Sequence, residues 1–396
     1  MILISFSPVL AEPSSFGTQT VDNAATVGGY TSIALDSSNN PHISYYDLTN
    51  GDLKYARWTG SAWSIQTVDN TGNVGEYTSI AIDDNGRPHI SYYDDSNKDL
   101  KYSYWTGSAW STETVDSTGH VGGFVSVTVG EYTSIAIDDN GRPHISYYGS
   151  EQADWETYET YIKYAYRTGE NWIIETVDSN YAGSWTSVAL DLSGYAHISY
   201  GGGVAPLKYA NWTGSAWSTE TVDSTLGGYT SIAIDDNGRP HISYYDLEKG
   251  HLKYARLNTA PALSSGIISP SSGGKDTIFT YEVTYVDNDG DEPSYIRVCI
   301  DNAFYPMARA GGVSTSGALY NYTGTFGVGE HTFYFEASDG FAVVRLPTSG
   351  SYDGPNITAP GETLVFFGII ILSGCIGVTI VAYLKMKRRI VFRKSI

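Results

Sequence analysis

Cysteine is nearly absent from this chain: two residues in 396, Cys299 and Cys375. A disulfide framework is therefore excluded as the source of stability. Positive charge is scarce as well. Lys and Arg number 23 against 43 Asp and Glu, for a formal net charge of −20; six of those cations sit in the last dozen residues, which leaves −26 for residues 1–384. Nucleic acid and anionic lipid surfaces need a basic footprint that this composition does not offer, so neither is expected as a ligand. Long hydrophobic runs are also missing, with one exception near the C-terminus, where Thr363 to Leu384 gives 22 residues without a charge.

What is present is repetition. A block of about 45 residues, cleanest as YTSIAIDDNGRPHISYYD followed by LKYA, WTGSAW and STETVD, recurs with starts at Tyr30, Tyr77, Tyr132, Trp185 and Tyr229. A unit of this size cannot bury its own apolar face and must stack on its neighbours. In the second copy four short strands are predicted: Tyr77 to Asp83, His89 to Asp94, Leu100 to Trp105 and Ala109 to Asp116. Thr78, Ile80 and Ile82 alternate with Ser79 and Ala81, the period of a strand. Asn85-Gly86 carries the signal of a tight hairpin, repeated at Asn140-Gly141 and Asn237-Gly238. Four strands per 45 residues is the size of one propeller blade.

The fifth copy stops at Arg256 after three strands. Its missing fourth strand has a counterpart at the other end of the chain, where Ser15 to Asp22 (SFGTQTVD) matches Ala62 to Asp69 (AWSIQTVD). Pairing the two ends would close the ring and remove an open sheet edge.

After Asn258-Thr259-Ala260-Pro261 the repeat ends, yet short strands separated by turns continue to about residue 348. At VTYVDNDGDEPSYIRVCID and GEHTFYFEASDG this segment resembles the Ig-like, PKD-type and cadherin-like modules of prokaryotic surface proteins. The expected fold is thus all-β: a five-bladed β-propeller of four-stranded antiparallel blades, its N-terminal strand closing the last blade, followed by an Ig-like β-sandwich and one transmembrane α-helix. Residues 1–11 read as a short signal peptide, 12–258 as the propeller, 259–348 as the sandwich, 349–362 as a stalk, 363–384 as the membrane span and 385–396 as a basic cytoplasmic tail. The cations that follow the span put the tail inside and the rest outside, a single-pass type I protein of the cell membrane. Sequons at Asn211, Asn321 and Asn356 agree with an exterior location.

Three residue sets are candidates for chemistry. Asp36 and His42, Asp83 and His89, Asp138 and His144, Asp191 and His197, Asp235 and His241 recur with a Ser and a Lys in every copy. Five identical triads are the wrong number for a nucleophilic site, so a polar bond fixing each hairpin is expected. Trp58, Trp63, Trp105, Trp110, Trp172, Trp212 and Trp217 offer flat amphipathic faces of the kind sugars stack on, and are the candidate ligand-binding residues. Asp287, Asp289 and Asp291 alternate around Gly290 as hard cations prefer, which makes Ca²⁺ in the Ig-like module the one cofactor considered.

Five repeated aromatic blades resemble the tachylectin-type lectin propellers in architecture, and the combination with an Ig-like module is similar to surface proteins of archaea and some bacteria. The Asp-box pattern of sialidases is not met, since Ile82 stands two before Asp84 where that pattern has Ser. The function expected is binding and adhesion, of a glycan or a surface protein, with no catalytic residues. The alternatives are a glycoside-active enzyme with a single central carboxylate site, and a structural envelope component. An acidic insertion in the third copy, with Glu151, Asp154, Glu156 and Glu159, is the asymmetric element that the enzyme reading would call on.

Overall fold

The computed structural model describes residues 18–117, 126–152, 158–179 and 182–359. The expected signal peptide, membrane span and tail lie outside these, and among the described residues no helix is long and apolar enough to cross a membrane. All regular structure among them is β. The chain divides into two compact units, the first ending at Leu257 and the second beginning at Asn258.

The first unit is a succession of antiparallel meanders in a propeller-type arrangement. Strands β1 (Val27–Leu35), β2 (Pro41–Asp47), β3 (Asp52–Trp58) and β4 (Trp63–Asp69) make the first sheet; β5 (Val74–Ile82), β6 (Pro88–Asp94), β7 (Asp99–Trp105) and β8 (Trp110–Asp116) the second. The third holds β9 (Ser126–Ile137), β10 (Pro143–Gln152), β11 (Tyr158–Thr168) and β12 (Asn171–Ser179). Then come β13 (Ser187–Leu190), β14 (Ala196–Gly202) and β15 (Ala205–Trp212). The long β16 (Trp217–Ile234) closes the fourth meander over Trp217–Leu226 and opens the fifth from Gly227, where it pairs with β17 (Pro240–Asp246), itself paired with β18 (His251–Arg256).

The Asn-Gly connections are wider than two-residue hairpins. In the second sheet the Asp83 amide donates to the Arg87 carbonyl, and the Asp83 carboxylate accepts the Asn85 and Arg87 amides. Of the pair, Gly86 alone takes a positive φ, 73°. The aspartate side chain supplies the acceptors that a mirror-image turn would otherwise have to provide.

Neighbouring sheets are joined by a polar node that recurs five times. The last Asp of each fourth strand accepts a hydrogen bond from a second-strand Tyr and pairs with a third-strand Lys of the following sheet. Tyr92 lies 2.8 Å from Asp69, which also pairs with Lys101. Asp116 takes Tyr147 at 2.6 Å and Lys163 at 3.0 Å; Asp178 takes Tyr200 at 2.8 Å and Lys208 at 2.7 Å; Asp223 takes Tyr244 at 2.5 Å and Lys253 at 2.6 Å. Around each node sits an apolar cluster, such as Leu53, Tyr55, Ile80 and Ile90 at the first junction. Four Ser-Thr pairs tie the inner edges, from Thr78 to Ser44 at 2.9 Å through Thr230 to Ser199 at 2.7 Å.

The N-terminal segment supplies the fifth node. Asp22 accepts from Tyr45 at 2.7 Å and pairs with Lys54 at 3.3 Å, while Gln19 takes the Trp63 indole N–H at 3.1 Å, as Gln66 takes that of Trp110. Thr18–Asp22 thus occupy, against the first sheet, the place of a preceding fourth strand. They are not themselves in a strand. Residues 15–17 of the expected closing strand lie outside the described residues.

The second unit has two sheets on one core. β19 (Ala262–Ser269), β21 (Phe279–Val286), β25 (Gly317–Gly324) and β24 (Ala308–Val313) form one; β20 (Ser272–Gly274), β28 (Tyr352–Thr358), β26 (Gly329–Ser338), β22 (Tyr295–Ile300) and β23 (Ala303–Pro306) the other, with β27 (Val343–Leu346) on β26. Phe279, Tyr281 and Val283 from the first meet Val298, Phe335 and Ile357 from the second. The stretch expected as spacer therefore contains a strand. Its Gly and Pro read as a linker, but Pro355 and Ile357 alternate with exposed Asn356 and Thr358, and Ile357 is in the core.

Removing one partner of a buried charge pair leaves the other uncompensated, at a cost of about 3–5 kcal/mol. Asp116→Ala is expected to lower the unfolding free energy of the first unit by that order in urea titration. Deleting residues 12–22 is expected to lower its melting temperature sharply, and an unchanged melting curve would refute the role given to Asp22.

Candidate functional site

The repeated Asp-His sets are built into the hairpins. His42 Nε2 lies 3.4 Å from Asp36, and the other four histidines stand 3.4 to 3.7 Å from Asp83, Asp138, Asp191 and Asp235. On the far side of each ring, Nδ1 meets a third-strand tyrosine hydroxyl: Tyr55 at 2.6 Å, Tyr102 at 2.5 Å, Tyr164, Tyr209 at 2.5 Å and Tyr254 at 2.6 Å. A neutral imidazole with its proton on Nε2 accepts from Tyr in every copy and donates to Asp at His42, His197 and His241, whereas Nε2 of His89 and of His144 stands 3.7 and 3.6 Å from its aspartate, too far for a hydrogen bond. The serines that complete the apparent triads are spent elsewhere. Ser44, Ser91, Ser146 and Ser199 are fully buried and bonded to the threonines of the next sheet.

The tryptophans do not converge. Trp58 with Trp63, Trp105 with Trp110 and Trp212 with Trp217 pack edge-on within one sheet, centroids 5.6 to 5.7 Å apart. Trp110, Trp172 and Trp217 wedge against Tyr55, Tyr102 and Tyr164 of the preceding sheet, and their indole N–H groups donate to Gln66, Glu113 and Glu175. All seven are partly covered. In the second unit the acceptor atoms of Asp287, Asp289 and Asp291 lie within 4.8 Å of one another. Asp287 already accepts the Asp289 and Asp291 amides. Asn211 and Asn321 sit inside paired strands, partly covered, and Asn356 is exposed on β28.

A different set of residues does converge. Tyr30, Tyr77, Tyr132, Trp185 and Tyr229, each followed by a Thr, line one cavity of about 220 Å³. These residues mark the start of each repeat in the sequence, and their shared site follows from the backbone. All five have positive φ, between 41° and 53°, a region that costs a non-glycine residue about 1–2 kcal/mol. In four of the five the strain belongs to a bulge, while Trp185 lies just before β13. In β5, Glu76 faces Tyr93 and Ser79 faces Ser91, so Tyr77 and Thr78 together oppose Tyr92 alone; β1, β9 and β16 slip at the same place. A bulge re-aims a side chain, and here it lets the Thr reach the neighbouring sheet while the aromatic faces the cavity. Successive rings stand 4.7, 4.5, 5.4 and 4.5 Å apart from Tyr30 round to Tyr229.

The fivefold pattern is broken by acids. The residue before the aromatic is Glu76 in the second repeat and Glu131 in the third, but Gly29, Ser184 and Gly228 in the others. Burial pushes both carboxyls above the ordinary glutamate range; Asp95 adds to the rise at Glu76, while at Glu131 Lys98 partly opposes it and Glu76 reinforces it. Their field reaches the cavity: burial and then Glu76 raise the Tyr30 phenol. The signal, Gly-Glu-Tyr against Gly-Gly-Tyr and Gly-Ser-Trp, stands in the sequence, but nothing there says that the five positions share a site.

No protein-family model matches the chain, and no curated protein matches its sequence. Among solved structures it is similar to a protein of unknown function from Dyadobacter fermentans, at 11% identity and a TM-score of 0.43, covering 76% of this chain and 95% of that one. It is similar to an ulvan lyase of polysaccharide lyase family PL25, at 14% identity and TM-score 0.38 over 67% of this chain and 78% of that one. It is also similar to the Aleuria aurantia lectin in complex with Fucα1-6GlcNAc, at 12% identity and TM-score 0.37 over 84% and 97%.

Burial holds His42, His89, His144 and His197 below the ordinary histidine range, against the pull of their aspartates. A folded-state value below the unfolded one means the unfolded chain binds more protons as pH falls, so stability is full above the unfolded pKa, about 6.5, and declines below it. Thermal melts from pH 7.5 to pH 5 are expected to show the first unit losing stability once pH drops through that value, and a flat profile would contradict the neutral-histidine reading.

Proposed function

We propose that this protein is a membrane-anchored extracellular carbohydrate-binding protein whose ligand sits in the aromatic cavity of the first unit. The observation that carries this reading is the convergence of five aromatic side chains, each held at positive φ, on one cavity. Strain repeated at a single place is a pointer to function. Flat rings with polar edges suit the apolar faces of a sugar, and threonine hydroxyls beside them suit its hydroxyl groups. The finer architecture proposed is a five-bladed propeller closed by the N-terminal strand, carried on an Ig-like module and a single-pass type I anchor, with the partner a glycan or a glycan-bearing surface protein. The site so proposed is one central pocket in place of repeated shallow ones at the tryptophans.

A second reading has an observation of its own. Glu76 and Glu131, two carboxyls with raised pKa beside the same aromatics, are the asymmetric acid pair that a glycoside-active enzyme would use, one as acid and one as base. Calcium at Asp287, Asp289 and Asp291 is proposed as a support of the second unit.

A glycan array probed with the whole ectodomain is expected to give specific hits. Trp185→Ala and Tyr77→Ala should each weaken them at least tenfold, while Trp58→Ala leaves them unchanged; the reverse ranking would move the site to the rim. If bound glycan is cleaved, Glu131→Gln is expected to abolish turnover and keep binding. Calcium is expected to raise the melting temperature of the second unit, and indifference to chelator would remove the metal.

A further inference from the structure

The second copy of the repeat differs from the first and fifth at three positions near its cavity aromatic. Where they have Gly29 with Leu48 and Gly228 with Leu247, it has Glu76 with Asp95; where they have Gly51 and Gly250, it has Lys98. In the first and fifth copies the pair is apolar and close: a Cβ built at Gly29 would meet the Leu48 side chain at 2.9 Å, and one at Gly228 the Leu247 side chain at 3.3 Å. The second copy has two carboxylates at the same positions, and burial and then Asp95 push the Glu76 carboxyl up. Lys98 keeps the left-handed backbone of the glycines it replaces, with φ 65° against 75° for Gly51 and 71° for Gly250, a conformation unfavourable to a residue with a Cβ. Its ammonium lies 2.5 Å from one Asp95 oxygen, and the Asn73 amide donates to the other at 3.1 Å. Asp95 is thereby compensated. Glu76 and, from the third copy, Glu131 are half-buried and have no ion pair among the described residues.

Carboxylates without a counter-charge cost stability when they are drawn out of water, and the other three copies do without one at this position. A positive charge arriving with the ligand would offset that cost. The cavity itself suits such a charge. Aromatics and threonines alone line it, and successive ring centroids 4.5 to 5.4 Å apart put more than one ring within the roughly 6 Å over which an aromatic face attracts a cation. Its volume of about 220 Å³ falls below the roughly 300–1,000 Å³ of sites for drug-sized molecules, which leaves room for one sugar ring or one small cationic group. The acids are felt there: after burial, Glu76 raises the Tyr30 phenol and Glu131 those of Tyr77 and Tyr132. We infer that the cavity takes a positively charged amine, carried by an amino sugar or by a quaternary ammonium compound, with Glu76 and Glu131 as its counter-charges. The inference rests on the cavity being the ligand site, and it narrows the carbohydrate reading to sugars with an unacetylated amino group. A neutral sugar would leave both carboxylates uncompensated, and a sulfated or uronic one would be repelled by them.

Calorimetric titration of the full chain separates the two sources of the charge. Choline is compared with the alcohol in which carbon replaces its nitrogen, and a glucosamine oligosaccharide with its N-acetylated counterpart, all at one ionic strength. At least one charged member is expected to bind at least tenfold more tightly than its neutral twin. Preference for the glucosamine oligosaccharide bears out the inference together with the carbohydrate reading; preference for choline alone bears out the inference and ends that reading. If neither charged member is preferred, or none binds, the inference is overturned, and hits among neutral glycans on the array would then leave the carbohydrate reading standing. Glu76→Gln and Glu131→Gln are each expected to reduce the preference several-fold, and Asp139→Asn, at an exposed turn acid, to leave it unchanged. Glu76→Gly, which installs what the first and fifth copies carry, is expected to act as Glu76→Gln does with the melting temperature maintained, so that a loss of binding is told apart from a loss of fold. A preference that survives all three Glu variants would mean that these acids do not recognise the charge, and would overturn their assignment. The enzyme reading predicts the opposite at Glu131, where Gln keeps binding intact.

Discussion

The buried aspartate at the end of each fourth strand is the contact on which the first unit depends. A carboxylate taken out of water must be met by charge and hydrogen bonds together. Here the tyrosine comes from the second strand of the next sheet and the lysine from its third, so a single Asp fixes two strands of a neighbour at once. Apolar packing alone would let adjacent sheets slide. The Leu, Ile and Tyr clusters supply area, and the node supplies register, which matters in a stack whose every unit presents the same faces. The N-terminal segment makes the point clearly: Thr18–Asp22 have no strand pairing, yet Asp22 and Gln19 put them where a fourth strand would lie.

Rigid stacking also explains how the cavity can hold strained aromatics. Five residues at positive φ carry a combined cost of several kcal/mol, which persists only if the surroundings over-determine the backbone. The Thr beside each of the four later aromatics is anchored to the preceding sheet, and in the first four repeats the Ser after that Thr accepts the amide of the next sheet's inner strand, as Ser32 does for Ile80 at 3.2 Å. The inner strands are thus stitched to one another on both sides of the bulge. The same hydrogen bonds that close the junctions direct the rings at the cavity.

Much of the fold was legible because a repeat multiplies weak signals. One YTSIAI segment is an ambiguous apolar run; five such segments at similar spacing, each followed by a turn and HIS, define strands, hairpins and stacking. The Asp of each TVD was legible as the end of a strand, but its partners lie in another sheet, 21 to 47 residues on, and periodicity says nothing of them. The tryptophans drew notice as flat amphipathic faces, and the structure wedges Trp110, Trp172 and Trp217 between sheets, with their indole N–H groups bonded to a neighbour. The cavity residues were in view as markers of the repeat. Their role escaped notice because a left-handed tyrosine leaves no trace in composition or spacing, and the bulge that causes it is a mismatch between two strands. The strand at Tyr352–Thr358 was missed for the opposite reason: Gly and Pro spoke for a linker more loudly than one alternation spoke for a sheet.

Symmetry then separates architecture from chemistry. What recurs at each junction or hairpin, the Asp-Lys-Tyr node and the Tyr-His-Asp set, is turned inward and spent on holding sheets. What differs between copies is open to selection for a ligand. Glu76 and Glu131 stand where glycine would serve the backbone equally well, so their presence is not demanded by the fold. Acids next in sequence to two of the cavity-lining aromatics, and none at that position in the other three copies, break the repeat in charge. On the proposed binding reading, a ligand held by the repeat alone would have five equivalent orientations, and a break in charge between copies is what would select one of them.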